Sequence, residues 1–316
     1  MKAAMIEALG DAPRLVTVED PSRATDGQIV IKVEAAALNA IDLHLAAGHH
    51  RAGPPQLPYA PGIESVGTVL DGPNEGTRVR AAALAGLLPG ANGGLAELQL
   101  VEGALCVPVP HGLDSVTAAA IGVVGSSADL GLAKATFRRG DSVLVSGATG
   151  PFGHAFLQLA RIAGAARVIA VGRDRHRLEA LTSVDGVIAF DGIPVPEQLE
   201  SVGGPVDLVV DPVWGNWAET LLRCLKPGGR YLNVGAAGGD GAPFHVEGLR
   251  ASQLALIGFS AASASPPDIL ASYRRVAQLA ASDVFMLPTE VYPLDKAAEA
   301  WQAQASSPGK KIVLVP

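Results

Sequence analysis

The sequence predicts an α/β chain in two parts, an antiparallel β-rich domain and a doubly wound parallel sheet. Three observations carry this. From Asp141 onward, short apolar runs alternate with segments of helical period, the pattern that builds parallel βαβ units. From Lys2 to about Val109, short apolar strands are instead separated by Gly and Pro, as in antiparallel sheets. The length of 316 residues exceeds one ordinary domain and suits two.

The most informative stretch runs from Asp141 to Arg177. Ser142 to Ser146 reads as a buried strand, and Gly147, Gly150 and Gly153 follow at three-residue spacing. Phe156, Leu157, Leu159, Ala160 and Ile162 then recur with helical period, Gly164 ends the helix, and Arg167 to Val171 is a second strand. Glycines in a strand-to-helix turn allow a tight bend, close approach of backbone to a ligand, and close packing of helix on sheet. The free N–H groups at the helix start suit a pyrophosphate, so the unit reads as dinucleotide-binding. A P-loop is excluded because no Gly-Lys-Ser/Thr ending follows.

The end of the second strand selects the dinucleotide. An acidic residue there holds the ribose hydroxyls of NAD, but here Gly172 is followed by Arg173, Asp174, Arg175, His176 and Arg177. Asp174 could reach the ribose. The arginines suit a 2′-phosphate better, through charge-assisted hydrogen bonds, and they oppose the helix dipole unless an anion is near. NADPH is therefore the expected cofactor, with Gly172, Arg173 and Arg177 around its phosphate.

Strands are expected at Lys2–Glu7, Leu15–Glu19, Gln28–Ala36, Gly67–Leu70, Arg78–Ala82 and Leu95–Leu100, with a short helix within Leu38–Gly48. A helical stretch from Ser115 to Ala135 leads into the dinucleotide unit. Beyond it, strands at Gly186–Ala189, Val206–Asp211, Arg230–Val234 and Leu254–Phe259 alternate with helices near Pro196–Val202, Trp217–Leu225 and Val246–Ala251. Lys226-Pro-Gly-Gly229 reads as a turn. The tail, with helices at Ile269–Ala281 and Asp295–Ala305 and strands at Glu290–Tyr292 and Lys311–Val315, is expected to return to the first domain. The expected domains are 1–115, 116–262 and the returning segment 263–316.

Composition narrows the class. Hydrophobic residues make up 48% and charged residues 17%, and no segment is long and apolar enough to span a bilayer. Met1 to Gly10 is too short and polar for a secretory signal, so the cytoplasm is the expected location. A net charge of −7 without a long basic block argues against nucleic acid as a partner. Cys106 and Cys224, far apart among apolar residues, read as buried free thiols.

Several stretches together resemble the medium-chain dehydrogenase/reductase superfamily, within it the zinc-free quinone-oxidoreductase-like branch. They are Asn39-Ala-Ile-Asp42, Leu57-Pro-Tyr-Ala-Pro-Gly-Ile-Glu-Ser-Val-Gly67, Ser146-Gly-Ala-Thr-Gly-Pro-Phe-Gly153, Asp207-Leu-Val-Val-Asp-Pro-Val213, Leu225-Lys-Pro-Gly-Gly229 and Gly309-Lys-Lys-Ile-Val-Leu314. The resemblance implies a GroES-like catalytic domain, a Rossmann domain, and a nicotinamide cofactor in the cleft between them. It places Asn39 and Ser127 near the nicotinamide and Thr149, Gly150, Pro151, Phe152 and Gly153 on the pyrophosphate. Val213, Gly235 and Phe259 then lie along the cofactor. Family members commonly pair through the last strand of the parallel sheet. Leu254 to Phe259 is apolar and unguarded, so a homodimer is expected.

Zinc-dependent relatives have Cys at the position of Asn39, His at Ile63 and a third ligand near Val123, so no metal is expected here. A short-chain dehydrogenase would need a Tyr-x-x-x-Lys pair, which Tyr231 and Tyr273 lack. Without zinc, the simpler chemistry is hydride addition to a quinone or to a carbon–carbon double bond activated by a carbonyl, as in an enone or enoyl thioester. Asn39, His50 and Tyr59 are the candidate catalytic residues. His50 stands where many relatives have a tyrosine, and imidazole can supply a proton near neutrality. Trp214-Gly215 replaces a common Gly-Gly. These two departures leave open an NADPH-binding protein without reductase activity, or a biosynthetic tailoring enzyme using the same cleft.

Overall fold

The computed structural model describes residues 1–316 except 23–26, 51, 73, 84, 88–91, 191–194, 244 and 308. Two compact units emerge: Met1–Val123 with Leu270–Pro316, and Val124–Ile269. Both boundaries fall in the first turns of helices, Gly122–Lys134 and Pro266–Ala281, several residues beyond the expected 115/116 and 262/263.

The first unit is built on a seven-stranded sheet. Its spatial order is Thr289–Pro293, Lys311–Val315, Gln28–Ala37, Glu64–Val69, Arg78–Ala82 and Val107–Pro108, with Leu98–Glu102 also paired to Gln28–Ala37. A separate hairpin joins Lys2–Met5 to Arg14–Thr17. All pairings within the sheet are antiparallel except one. Thr289–Pro293 and Lys311–Val315 run parallel, because the helix Ala297–Ala305 between them forms a crossover that a tight hairpin could not. Lys311–Val315 pairs with the long strand through Val313 opposite Ala37 and Leu314 opposite Ala36. That register brings Lys311 toward the end of the strand, where Asn39 follows. Alternate residues such as Ile31, Val33, Val69, Val79, Ile312 and Leu314 face one core, closed by Trp301 from the crossover helix.

The second unit is a six-stranded, wholly parallel sheet. In chain order its strands are Ser142–Val145, Arg167–Gly172, Gly186–Ala189, Val206–Asp211, Leu225–Asn233 and Ala255–Gly258, and in space they lie third, second, first, fourth, fifth, sixth. This is the doubly wound order, which places the switch point between the first and fourth strands. The first strand is buried throughout, as its unbroken apolar run requires. The sixth pairs on one side only and leaves Leu256 43% exposed.

Two local expectations are corrected. Lys226-Pro-Gly-Gly229 lies inside the strand Leu225–Asn233, where the register jumps from Val206/Leu225 to Leu208/Arg230. Gly228, at φ +74°, absorbs the extra residues as a bulge. The helix expected over Ser115–Ala135 is two, Ser115–Ala120 and Gly122–Lys134. A side chain on Gly122 at their junction would overlap the Glu64 carboxylate. No helix among the described residues is long and apolar enough to cross a membrane.

Candidate functional site

In the second unit, the turn after the first strand is shaped by contacts that only glycine permits. A Cβ on Gly153 would lie 2.5 Å from the Gly147 oxygen and 2.7 Å from the Ala148 Cα. Gly147, at φ +56°, adopts a left-handed conformation that carries the chain under Val213 and Pro212. Gly150 caps the helix Pro151–Ile162 without a side-chain bond, and Pro151 occupies the first turn. The N–H groups of Phe152 and Gly153 therefore have no intrahelical partner and point along the axis toward the turn. Thr149 is half-buried beside them, and the Ala148 N–H bonds the Val171 oxygen. A pyrophosphate fits this cradle, since bare donors and a positive dipole end lie where no side chain intrudes.

Gly172 ends the second strand, with Leu178 3.3 Å from where its Cβ would stand. Arg173, Asp174 and Arg177 are exposed beyond it. Asp174 caps the helix Arg175–Glu179, accepting from the Arg177 N–H at 3.1 Å and pairing with the Arg177 guanidinium at 3.5 Å.

The loop after the fourth strand is organised by Asp211, which is fully buried. Ser146 and Tyr231 hydroxyls donate to it, as do the Val213 and Trp214 N–H groups at 2.8 and 2.9 Å. Burial pushes the Tyr231 phenol up, and the adjacent carboxylate adds to the shift. These bonds hold Trp214 at φ +57°, a conformation more usual for glycine, with its indole N–H bonded to the Asp240 oxygen at 3.0 Å. Gly235 lies beside the same loop, where a Cβ would come within 2.8 Å of the Pro212 oxygen. Ser127 sits one helical turn before Gly131, whose open face abuts Phe156, Leu232 and Phe259. The structure thus gathers the glycine turn, Val213 and Gly235 at the carboxyl ends of the strands, with Phe259, just past the sixth strand, packed against Gly131 of the helix that carries Ser127.

The first unit holds a cluster that sequence reasoning did not foresee. Glu64 is 0% exposed, and its carboxylate receives Asn39 Nδ2 at 2.9 Å, Lys311 Nζ at 3.1 Å, Arg80 at 3.5 Å and the Val123 N–H. Lys311 also donates to Asn39 Oδ1. Asn39 Nδ2 reaches the Ala37 oxygen as well, at 3.3 Å, so both its hydrogens are engaged and only one lone pair of Oδ1 is open. As a candidate catalytic group, Asn39 can accept a hydrogen bond but has no donor left. Asn39 and Val123, two of the three zinc-ligand positions of the relatives, belong to this ion-pair cluster, and Ile63 precedes its centre. Among the described residues, no group of three or more His, Cys, Asp or Glu could hold a metal. The signal available was Glu64 itself, an acidic residue in the otherwise uncharged stretch Pro61-Gly-Ile-Glu-Ser-Val-Gly67, which must find cations if buried.

Asp42 supports the same loop. It accepts from the N–H groups of Asn39 at 2.8 Å and of Gly62 and Ile63 at 3.0 Å. Burial pushes its carboxyl up to about 6 against these donors. His50 is half-buried, with Nδ1 accepting from the Ala52 N–H at 3.2 Å, which leaves the proton of the neutral ring on Nε2. Tyr59 is a correction. It is 2% exposed within the apolar core, its hydroxyl has no partner among the described residues, and burial pushes its phenol up. A hydroxyl so enclosed packs the domain and has no exposed face here to offer a substrate.

Comparison with known proteins matches the description "Alcohol dehydrogenase GroES-like domain" over residues 25–111 and "Zinc-binding dehydrogenase" over residues 151–281. The solved quinone oxidoreductase from Thermus thermophilus, also solved with NADPH, is 31% identical over the whole of both chains, with a TM-score of 0.81. Rat quinone oxidoreductase is 28% identical, covering 91% of this chain and 89% of its own. A chloroplastic NADPH-dependent alkenal/one oxidoreductase of Arabidopsis thaliana is 30% identical over 67% of this chain, a match that spans 56% of that protein's length.

Two outcomes follow from the first unit. Glu64→Gln leaves Lys311 and Arg80 buried without their counter-charge, and should lower stability by about 3–5 kcal/mol in urea denaturation. Tyr59→Phe removes an unpaired hydroxyl and should raise stability by about 1 kcal/mol, with steady-state rates unchanged.

Proposed function

Because the chain belongs to the medium-chain dehydrogenase/reductase superfamily, we propose that it is an NADPH-dependent, zinc-independent oxidoreductase. Its substrates would be quinones or carbon–carbon double bonds activated by a carbonyl, as in enones and enoyl thioesters. One observation carries the reading: a complete dinucleotide turn occurs in a chain where Asn39 and Val123, two of the three positions matched to zinc ligands, belong to a buried Glu64–Lys311–Arg80 cluster, and the third is Ile63. The names of the rat, Arabidopsis and Thermus relatives are consistent with it.

When bound, NADPH would supply the hydride. The chain's own residues then have separate tasks. The Phe152 and Gly153 N–H groups hold the pyrophosphate. Asp174 caps its helix and pairs with Arg177, so part of its carboxylate is engaged locally, whereas Arg173 is exposed and open to a 2′-phosphate. Asn39 Oδ1 keeps one lone pair for a carboxamide donor, held in place by Lys311. Reduction of an enone leaves an enolate that needs a proton; His50 would supply it from Nε2 only as the imidazolium, whose Nδ1 must first give up the bond from the Ala52 N–H, and water is the competing source. Binding of NADPH without turnover is the second reading, favoured by the Asn39 carboxamide having no donor left for a developing oxyanion.

Purified protein incubated with NADPH and a panel of enones, enoyl thioesters and quinones should consume the reduced cofactor in the presence of chelator; stable absorbance with all of them would leave the binding reading. In a parallel titration, Arg173→Ala should weaken NADPH by about 1.5–3 kcal/mol and leave NADH nearly unchanged. Equal losses for both would refute the 2′-phosphate assignment. The half-paired strand Ala255–Gly258, apolar at its edge, is the proposed homodimer seam, and light scattering at micromolar concentration should return twice the 32.2 kDa chain mass.

A further inference from the structure

The glycine turn and the arginines leave unexplained an aromatic pair at the carboxyl ends of the same strands. Phe190 directly follows the third strand, and Trp217 closes the turn Gly215–Trp217 after the fourth. Their rings stack with centroids 3.9 Å apart and planes at 21°. Trp217 is 38% exposed, a large apolar surface left uncovered beside a core in which Tyr231 is fully buried and Phe190 and Trp214 are partly buried. The Phe190 N–H bonds the Gly172 oxygen at 2.8 Å, which fixes the pair beside the strand end that carries Arg173.

This adjacency has a chemical meaning. In a dinucleotide with a 2′-phosphate, the ribose that carries the phosphate also carries the purine. A ribose held at Gly172 and Arg173 therefore delivers its base to the neighbourhood of Phe190. We propose that Phe190 and Trp217 form the stacking platform for the purine of the bound cofactor, an inference that rests on the NADPH reading above. At 3.9 Å the rings are in mutual contact and admit nothing between them, so the base lies on the outer surface of the pair, which the exposure of Trp217 supplies. Purines have a π-face whatever their substituents, so the platform contributes affinity while the arginines select the phosphate.

The test uses the full chain and 2′,5′-ADP, which contains the purine and both phosphates but no nicotinamide. In wild-type protein it should bind by calorimetry and change tryptophan emission. Trp217→Ala should weaken it roughly tenfold, the usual consequence of removing an aromatic from beneath a base. Trp217→Phe, which keeps a ring, should recover most of that loss, and Phe190→Leu should weaken binding less than Trp217→Ala. Thermal protection by inorganic pyrophosphate, which needs only the glycine turn, should persist in every variant. Unchanged affinity of Trp217→Ala for 2′,5′-ADP, with wild-type NADPH binding intact, would overturn the platform and leave the NADPH reading standing. Loss of pyrophosphate protection in step with 2′,5′-ADP affinity would make Trp217 merely structural and also overturn it. Wild-type protein that binds neither NADPH nor 2′,5′-ADP would remove both readings together.

Discussion

The first unit depends on the burial of one carboxylate. Glu64 has no water to solvate it, so its charge must be met by donors and cations from elsewhere in the chain. Those partners come from four places: Asn39 after the long strand, Arg80 on the next strand, Val123 at a helix junction, and Lys311 on the C-terminal strand. Each is thereby fixed relative to the others. The C-terminal strand is consequently part of the cluster, because Lys311 orients the Asn39 carboxamide and leaves its oxygen partly open. Gly122 belongs to the same constraint, since no side chain fits between it and Glu64.

The resemblance implies zinc ligands at the positions of Asn39 and Ile63 and near Val123 in metal-dependent members of the family. Here a carboxylate with two cationic partners links the loop of Asn39 to that of Val123. The substitution changes the chemistry available, because a buried ammonium held by Glu64 and Asn39 is committed to its partners, whereas a Lewis acid with an open position can polarise substrate. The proposed reaction accordingly relies on acceptors and a proton donor.

The second unit has its own buried carboxylate, answered differently. Asp211 is met by neutral donors, two hydroxyls and two backbone N–H groups, and the loop they pin includes Trp214 in a conformation few side chains adopt. That strain is offset by four hydrogen bonds to one residue and by the edge-on contact of Trp214 with Tyr231. It positions the loop leading to Trp217, from which the exposed aromatic surface projects.

Local signals in the sequence determined the parallel sheet, the glycine turn and the arginines after Gly172, because strand and helix periods and the demand for missing Cβ atoms are written in neighbouring residues. Gly186–Ala189, Val206–Asp211 and Lys311–Val315 form at the residues their apolar runs mark. Other features required the folded chain. Lys226-Pro-Gly-Gly229 has turn chemistry, yet pairing on both sides draws it into a strand as a bulge. Tyr59 has the side chain of a proton donor, and only packing shows its hydroxyl sealed in a core. Lys311 meets Asn39 across 272 residues, and Phe190 meets Trp217 from a strand two places away in the sheet from Trp217's own neighbour at the switch point. Such partners are set by strand register and sheet order, which exist only once distant strands have paired, so no local pattern could announce them.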